Sequence, residues 1–264
     1  MNKASIIIAG IQTSLYWEDK PANLLMLADK ISQCPPSDII ILPEMFSTGF
    51  SMQPELFAET ISDHTIQWLQ TQAKQKNCVI TGSIIITENG HYYNRMIWMK
   101  PDGQFSYYNK RHLFAYAGED EHYTKGTERR IVHYAGWNIN LQVCYDLRFP
   151  VWARQSAIQE ENPEYDVIIY VANWPERRSN AWKILLQARA IENQAYVIGV
   201  NRTGTDGNNI YHSGNSMCID PTGAILEHHT DEEIIFTTTL NKQLLSDTRS
   251  KFPFYKDADR FGLE

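Results

Sequence analysis

The 264-residue chain is poor in the features that most quickly narrow a protein's chemistry. It has no basic cluster: the pairs Arg129-Arg130 and Arg177-Arg178 are too short to form a patch, and the formal net charge is -7. A mildly acidic chain of this kind argues against nucleic acid or an anionic membrane surface as partner. No apolar run approaches membrane-spanning length. The stretch Ser5-Ile6-Ile7-Ile8-Ala9-Gly10-Ile11 is short for a signal segment and runs straight into Gln12-Thr13-Ser14. It reads as a buried strand, and a cytoplasmic location is expected. Cysteine is scarce too. Cys34, Cys78, Cys144 and Cys218 lie far apart, with no C-x-x-C and no zinc-like spacing. Free thiols are therefore expected, with no metal. Cys78 and Cys218 sit in apolar runs and read as core residues, and Cys34, before Pro35-Pro36, as a turn residue.

What is present is an ordinary globular composition rich in aromatics, long enough to bury a core without staples. No repeat, low-complexity tract or linker interrupts it, so one domain over residues 1–264 is expected. Apolar periodicity predicts strands at Ile6–Gln12, Asp38–Leu42, Cys78–Thr87, His91–Lys100, Asn138–Cys144, Asp166–Ala172, Ala195–Asn201 and Glu233–Leu240. Leu24, Leu27, Ala28 and Ile31 recur at helical spacing after the start signals Asp19 and Pro21. Ile66, Leu69 and Ala73 mark a second helix, Phe149–Ile158 a third and Trp182–Asn193 a fourth. Glu88-Asn89-Gly90 reads as a hairpin turn, and Pro101-Asp102-Gly103 and Pro221-Thr222-Gly223 as further turns. Hairpins break the alternation of strand and helix, which disfavours a purely parallel sheet. Two core sheets with helices outside would use these strands well.

Three predicted strands end on chemistry. Glu44 follows Ile39-Ile40-Ile41-Leu42-Pro43, Cys144 follows Ile139–Val143, and Asn173 follows Val167–Val171. Ligand sites in α/β sheets form beyond the carboxyl ends of strands. Lys110 opens a long polar loop that could reach the same crevice. A carboxylate can take the proton of a thiol, and an ammonium can favour thiolate and stabilise an oxyanion. The backbone N–H of Tyr145 is a further candidate donor. Each residue also has a bland reading: Glu44 as a helix-start acid, Lys110 as a solvated charge, Cys144 as a core thiol. His112, His122 and His133 have no metal-ligand spacing and read as loop or strand-edge residues.

Four segments together resemble the nitrilase superfamily of carbon–nitrogen hydrolases from end to end. They are Ile41-Leu42-Pro43-Glu44-Met45-Phe46, Tyr108-Asn109-Lys110-Arg111-His112-Leu113, Val143-Cys144-Tyr145-Asp146-Leu147-Arg148-Phe149-Pro150 and Gln187-Ala188-Arg189-Ala190-Ile191-Glu192-Asn193. The resemblance implies an α/β fold of four layers, an αββα sandwich, usually paired as a homodimer. It implies a triad of Glu44, Lys110 and Cys144, with no cofactor. It also implies a second active-site glutamate between the lysine and the cysteine. Spacing to Gly126 favours Glu119, with Glu121 the alternative.

Cys144-Tyr145-Asp146-Leu147-Arg148-Phe149-Pro150, Ala172-Asn173-Trp174-Pro175 and Lys251-Phe252-Pro253 are most similar to the ω-amidase branch. That branch hydrolyses 2-oxoglutaramate and 2-oxosuccinamate. Arg148 is the candidate for the distal carboxylate, which a guanidinium fits as a fork. Its alternatives are pairing with Asp146 or a contact with a dimer partner. Tyr145, Tyr116, Asn173 and Trp174 are the other candidate substrate contacts. Rival readings are another carbon–nitrogen hydrolase, such as a carbamoylase or nitrilase, and a non-catalytic thiol sensor. A sensor would want a resolving thiol, and none lies near Cys144 in sequence.

Overall fold

The computed structural model describes residues 2–155, 163–259 and 262. The first sheet is built early, from β1 (Ser5–Gln12), β2 (Ile39–Ile41), β3 (Val79–Glu88), β4 (His91–Met99) and β5 (Phe105–Asn109). The second takes β6 (Arg130–Tyr134), β7 (Trp137–Val143), β8 (Val167–Ala172), β9 (Tyr196–Asn201), β10 (Thr203–Thr205), β11 (Tyr211–Ile219) and β12 (Ile225–Thr230). Then β13 (Ile234–Asn241) returns to the first sheet and pairs antiparallel with β1. The first sheet runs β13-β1-β2-β3-β4-β5, and the second β10-β11-β9-β8-β7-β6 with β12 also on β11. The helices are α1 (Lys20–Gln33), α2 (Pro54–Phe57), α3 (His64–Lys76), α4 (Glu119–His122), α5 (Pro150–Ala153), α6 (Ser179–Asn193) and α7 (Lys242–Lys251).

Side-chain alternation sorts each strand between two layers. In β8, Val167, Ile169 and Val171 enter the core between the sheets, while Ile168, Tyr170 and Ala172 face α6. In β1, Ile6 and Ile8 face the second sheet, and Ala9 and Ile11 join Leu24, Leu27 and Ile31 of α1. Layers therefore run helix, sheet, sheet, helix, the expected αββα sandwich. α1 starts as predicted: Asp19 accepts the N–H of Ala22 at 3.0 Å, and Pro21 sits in the first turn. Cys34 is a correction. It caps the end of α1 and is buried rather than lying in an exposed turn.

Other corrections are local. The predicted helix Phe149–Ile158 shrinks to α5, where Pro150 supplies a ready first turn; residues 156–162 lie outside the described residues. The strand before Cys144 stops at Val143. The helix predicted from Trp182 begins at Ser179. β5, β6 and α7 were not anticipated, because mixed aromatic and polar sequences such as Phe105-Ser106-Tyr107-Tyr108-Asn109 carry little apolar period. Among the described residues no helix is long and apolar enough to cross a membrane.

Strand direction positions the site. β1, β2 and β3 are parallel, and two antiparallel pairings bring β5 back to the same direction. β7, β8 and β9 are parallel as well. The residues after β2 and β5 meet those after β7 and β8. Gly82 in β3 makes room for the turn after β2: a Cβ there would lie 2.8 Å from Leu42 Cβ and 2.8 Å from Phe46 Cδ1. Gly82→Ala is expected to cost about 1–3 kcal/mol by overpacking, read as a lower urea midpoint with an unchanged slope. An unaltered midpoint would contradict this.

Candidate active site

Glu44 is fully buried. Pro43 cannot continue the ladder of β2, and Met45 turns the chain in the left-handed region at φ 43°. Ser83 fixes that turn. Its hydroxyl accepts Met45 N–H at 2.8 Å and its carbonyl accepts Phe46 N–H at 3.1 Å. The turn aims the Glu44 carboxyl at the residue that follows β5.

That residue is Lys110, also buried. Its ammonium donates to Glu44 Oε1 at 2.9 Å and to Glu119 at 2.8 Å (Oε2) and 3.0 Å (Oε1). Asn94 Nδ2 donates to both carboxylates, at 2.8 Å to Glu44 and 3.1 Å to Glu119. Phe114 N–H reaches Glu119 Oε2 at 2.6 Å. Of the two glutamates in the loop, Glu119 is in this cluster, while Glu121 is exposed. Each Glu119 oxygen accepts two N–H groups, an arrangement suited to the ionised form.

Cys144 sits at φ 45°, a strained conformation for a residue with a Cβ, and opens a short 3₁₀ turn ending at Arg148. Asp146 ties the turn down. Its Oδ2 accepts Val143 N–H at 3.0 Å and Tyr108 O–H at 2.9 Å; its Oδ1 accepts His112 N–H at 3.0 Å and lies 2.8 Å from His112 Nδ1. The His112 ring stacks on Phe149 at 3.8 Å. His112 is thus a brace rather than a loose loop residue. Asp146 is fully engaged elsewhere, so the alternative that pairs it with Arg148 falls. The Arg148 guanidinium instead lies 4.8 Å over the Trp174 ring.

The thiol of Cys144 lies within the electrostatic reach of Glu44 and Lys110. Burial first, and Glu44 next, push it well above the usual thiol range, and Lys110 offsets this only in part. The resting sulfur is therefore a thiol, not the thiolate that an adjacent ammonium suggested. For Lys110 burial pulls down, but Glu119 and Glu44 outweigh it and hold the ammonium above its ordinary value. Burial raises Glu119, with Lys110 opposing and Glu44 reinforcing.

A cleft opens onto Cys144. Arg148, Tyr145, Tyr116, Asn173 and Trp174 all line it, together with Phe50, Phe114, Arg178 and His212. Tyr116 is 78 % exposed. Asn173 also serves Glu44: its N–H donates to Oε2 at 2.7 Å, and its Nδ2 to the Glu44 carbonyl at 2.6 Å. Burial and then Arg202 push His212 down to about 4, so it is neutral near pH 7. Asn94, Asp146, Arg178 and His212 were missed in the sequence. The one available signal for Asn94 was a polar residue inside a buried strand. Among the described residues no group of three or more His, Cys, Asp or Glu could hold a metal ion.

Lys110→Met would leave two buried carboxylates facing each other, at a cost of about 3–5 kcal/mol. Without the ammonium the folded pKa of Glu119 rises further above its unfolded value. The variant's stability is then greatest below the unfolded carboxyl range and falls as pH climbs towards the folded value. Urea unfolding should show a larger deficit against the parent at neutral than at acid pH; equal deficits would contradict the charge cluster.

A carbon–nitrogen hydrolase family model matches residues 7–250. The ω-amidase YafV of Escherichia coli K12 is 42% identical over 256 residues, covering 96% of each chain. The 2-oxoglutaramate amidase of Bacillus subtilis is 32% identical over 84% of this chain and 85% of its own. A crystal structure from Xanthomonas campestris, of a CN-hydrolase superfamily protein with an arsenic adduct in its active site, superposes with a TM-score of 0.96. It is 39% identical and covers 99% of this chain and 100% of its own. The sandwich, the buried cluster beside a strained cysteine and these matches agree: the chain belongs to the carbon–nitrogen hydrolase family.

Proposed function

We propose that the protein is an ω-amidase, hydrolysing the terminal amide of 2-oxoglutaramate or 2-oxosuccinamate to the dicarboxylate and ammonia. The observation that carries the chemistry is the buried Glu44, which accepts from the Lys110 ammonium at 2.9 Å and acts electrostatically on the Cys144 thiol. The matched ω-amidase and 2-oxoglutaramate amidase support the substrate.

In the proposed reaction Glu44 takes the thiol proton as the sulfur attacks the amide carbon. The developing oxyanion is met by the Tyr145 N–H and by the positive charge of Lys110, whose own N–H groups stay on the two glutamates. The proton passes to the leaving nitrogen and ammonia departs, leaving a thioester on Cys144. Water, deprotonated by Glu44, adds to the thioester; the sulfur leaves and recovers a proton. Glu119 holds Lys110 in place and, through it, Glu44. Arg148, free of Asp146 and lying over the Trp174 ring, receives the distal carboxylate. Residues 1–264 form a single hydrolase domain in this reading, in the cytoplasm. Pairing into a homodimer is supported by the exposed Ile184 and Ile191 of α6 and Val151 of α5.

Ammonia release from 2-oxoglutaramate, glutamine, an N-carbamoyl amino acid and a nitrile tests the assignment. 2-Oxoglutaramate should give the highest kcat/KM, and preference for any other compound would overturn it. Cys144→Ala should fall to background turnover. Arg148→Lys should raise KM for 2-oxoglutaramate about tenfold with kcat little changed, as expected for loss of a charged fork; an unchanged KM would remove Arg148 from the carboxylate.

A further inference from the structure

Arg178 ends the short segment Glu176–Arg178 and caps the start of α6. It lines the same cleft as Cys144 and Arg148. Its guanidinium lies 4.9 Å over the Phe114 ring and 6.0 Å over that of Tyr116. Trp174 ties the two arginines together. Its ring lies beneath the Arg148 guanidinium, and its indole N–H donates to the Arg178 carbonyl at 2.8 Å.

Neither guanidinium has a carboxylate partner within 4.0 Å among the described residues. The acid next in sequence, Glu176, turns away to the hydroxyls of Ser213 and Ser179. Asp206, the one acid lining the cleft among the described residues, accepts the N–H groups of Asn208 and Ile210 at its Oδ1, at 2.8 and 2.9 Å. Arg177 adds a third cation. Burial, and then Arg177 and Arg148, pull the Arg178 guanidinium below its ordinary value. Among the described residues lining the cleft, Arg148, Arg177 and Arg178 thus outnumber the acid Asp206.

We infer that Arg178 is a specificity-determining residue that, with Arg148, selects 2-oxo acids over 2-amino acids at the substrate end remote from the amide. This rests on the amidase reading above. A 2-oxo carboxylate is planar and presents oxygen acceptors from two adjacent carbons, enough for two guanidinium groups. A 2-amino acid puts an ammonium where the oxo oxygen would be. There it meets the guanidinium groups of Arg148 and Arg178, so glutamine is rejected by repulsion as well as by a lost hydrogen bond.

Three amides of equal chain length separate the contributions: 2-oxoglutaramate, glutaramate (a methylene replacing the oxo carbon) and glutamine. Arg178→Met should lower kcat/KM for 2-oxoglutaramate about 10–100-fold, mostly through KM, as loss of a charged hydrogen bond predicts. Glutaramate should lose less, and the preference for 2-oxoglutaramate over glutamine should collapse. Arg178→Lys, which keeps the charge without the fork, should retain most of the rejection of glutamine. A preserved preference in Arg178→Met, or equal losses on all three amides, overturns the inference while the amidase reading stands. Failure of the unaltered protein to hydrolyse 2-oxoglutaramate overturns both.

Discussion

The ammonium of Lys110 is the fixed point of the molecule. It is buried and has carboxylates on two sides, so its three protons are spent on Glu44 and Glu119. Neither acid could stay charged so deep in the protein without it, and it would not be tolerated without them. Every nearby element serves this cluster. β2 delivers Glu44, β5 delivers Lys110, the start of α4 delivers Glu119, and Asn94 from β4 links the two carboxylates. The second sheet closes it with Cys144 after β7 and Asn173 after β8. The sandwich matters to function because it sets strand ends of two sheets against each other.

This arrangement changes how the proposed nucleophile is understood. A lone ammonium beside a thiol would favour thiolate, but here Lys110 is already shared by two carboxylates, and burial with Glu44 keeps the sulfur protonated. In the proposed mechanism Cys144 is activated only as it attacks, by transfer of its proton to Glu44. The protein holds the sulfur in place through backbone strain at Cys144 and the Asp146 brace, not through a standing negative charge.

Much of this was legible in the sequence. Strand ends marked Glu44, Cys144 and Asn173, because apolar runs that stop at polar residues report both the strand and its exit. The resemblance supplied Lys110 and preferred Glu119 over Glu121, and the geometry places Glu119 in the cluster. Residues whose work depends on packing were harder to see. Asn94 lies within β4, where strand periodicity gives no hint that its amide bridges two acids. Asp146 could not be told from a partner for Arg148 until Tyr108 and His112 were found on it. Arg177-Arg178 was correctly too short for a basic patch, yet a single cleft-lining guanidinium requires no patch. α5 fell short of its predicted length because apolar spacing reports burial before it reports where a helix stops.

The account turns on Glu44 as the base for Cys144, with Lys110 and Glu119 holding it in position. The most direct measurement is intact-mass analysis of protein quenched soon after mixing with 2-oxoglutaramate. The parent chain should carry the mass of substrate less ammonia, located at Cys144 on digestion. Glu44→Gln, folded but unable to accept the thiol proton, should show almost none. An adduct forming as fast in Glu44→Gln as in the parent would contradict the account.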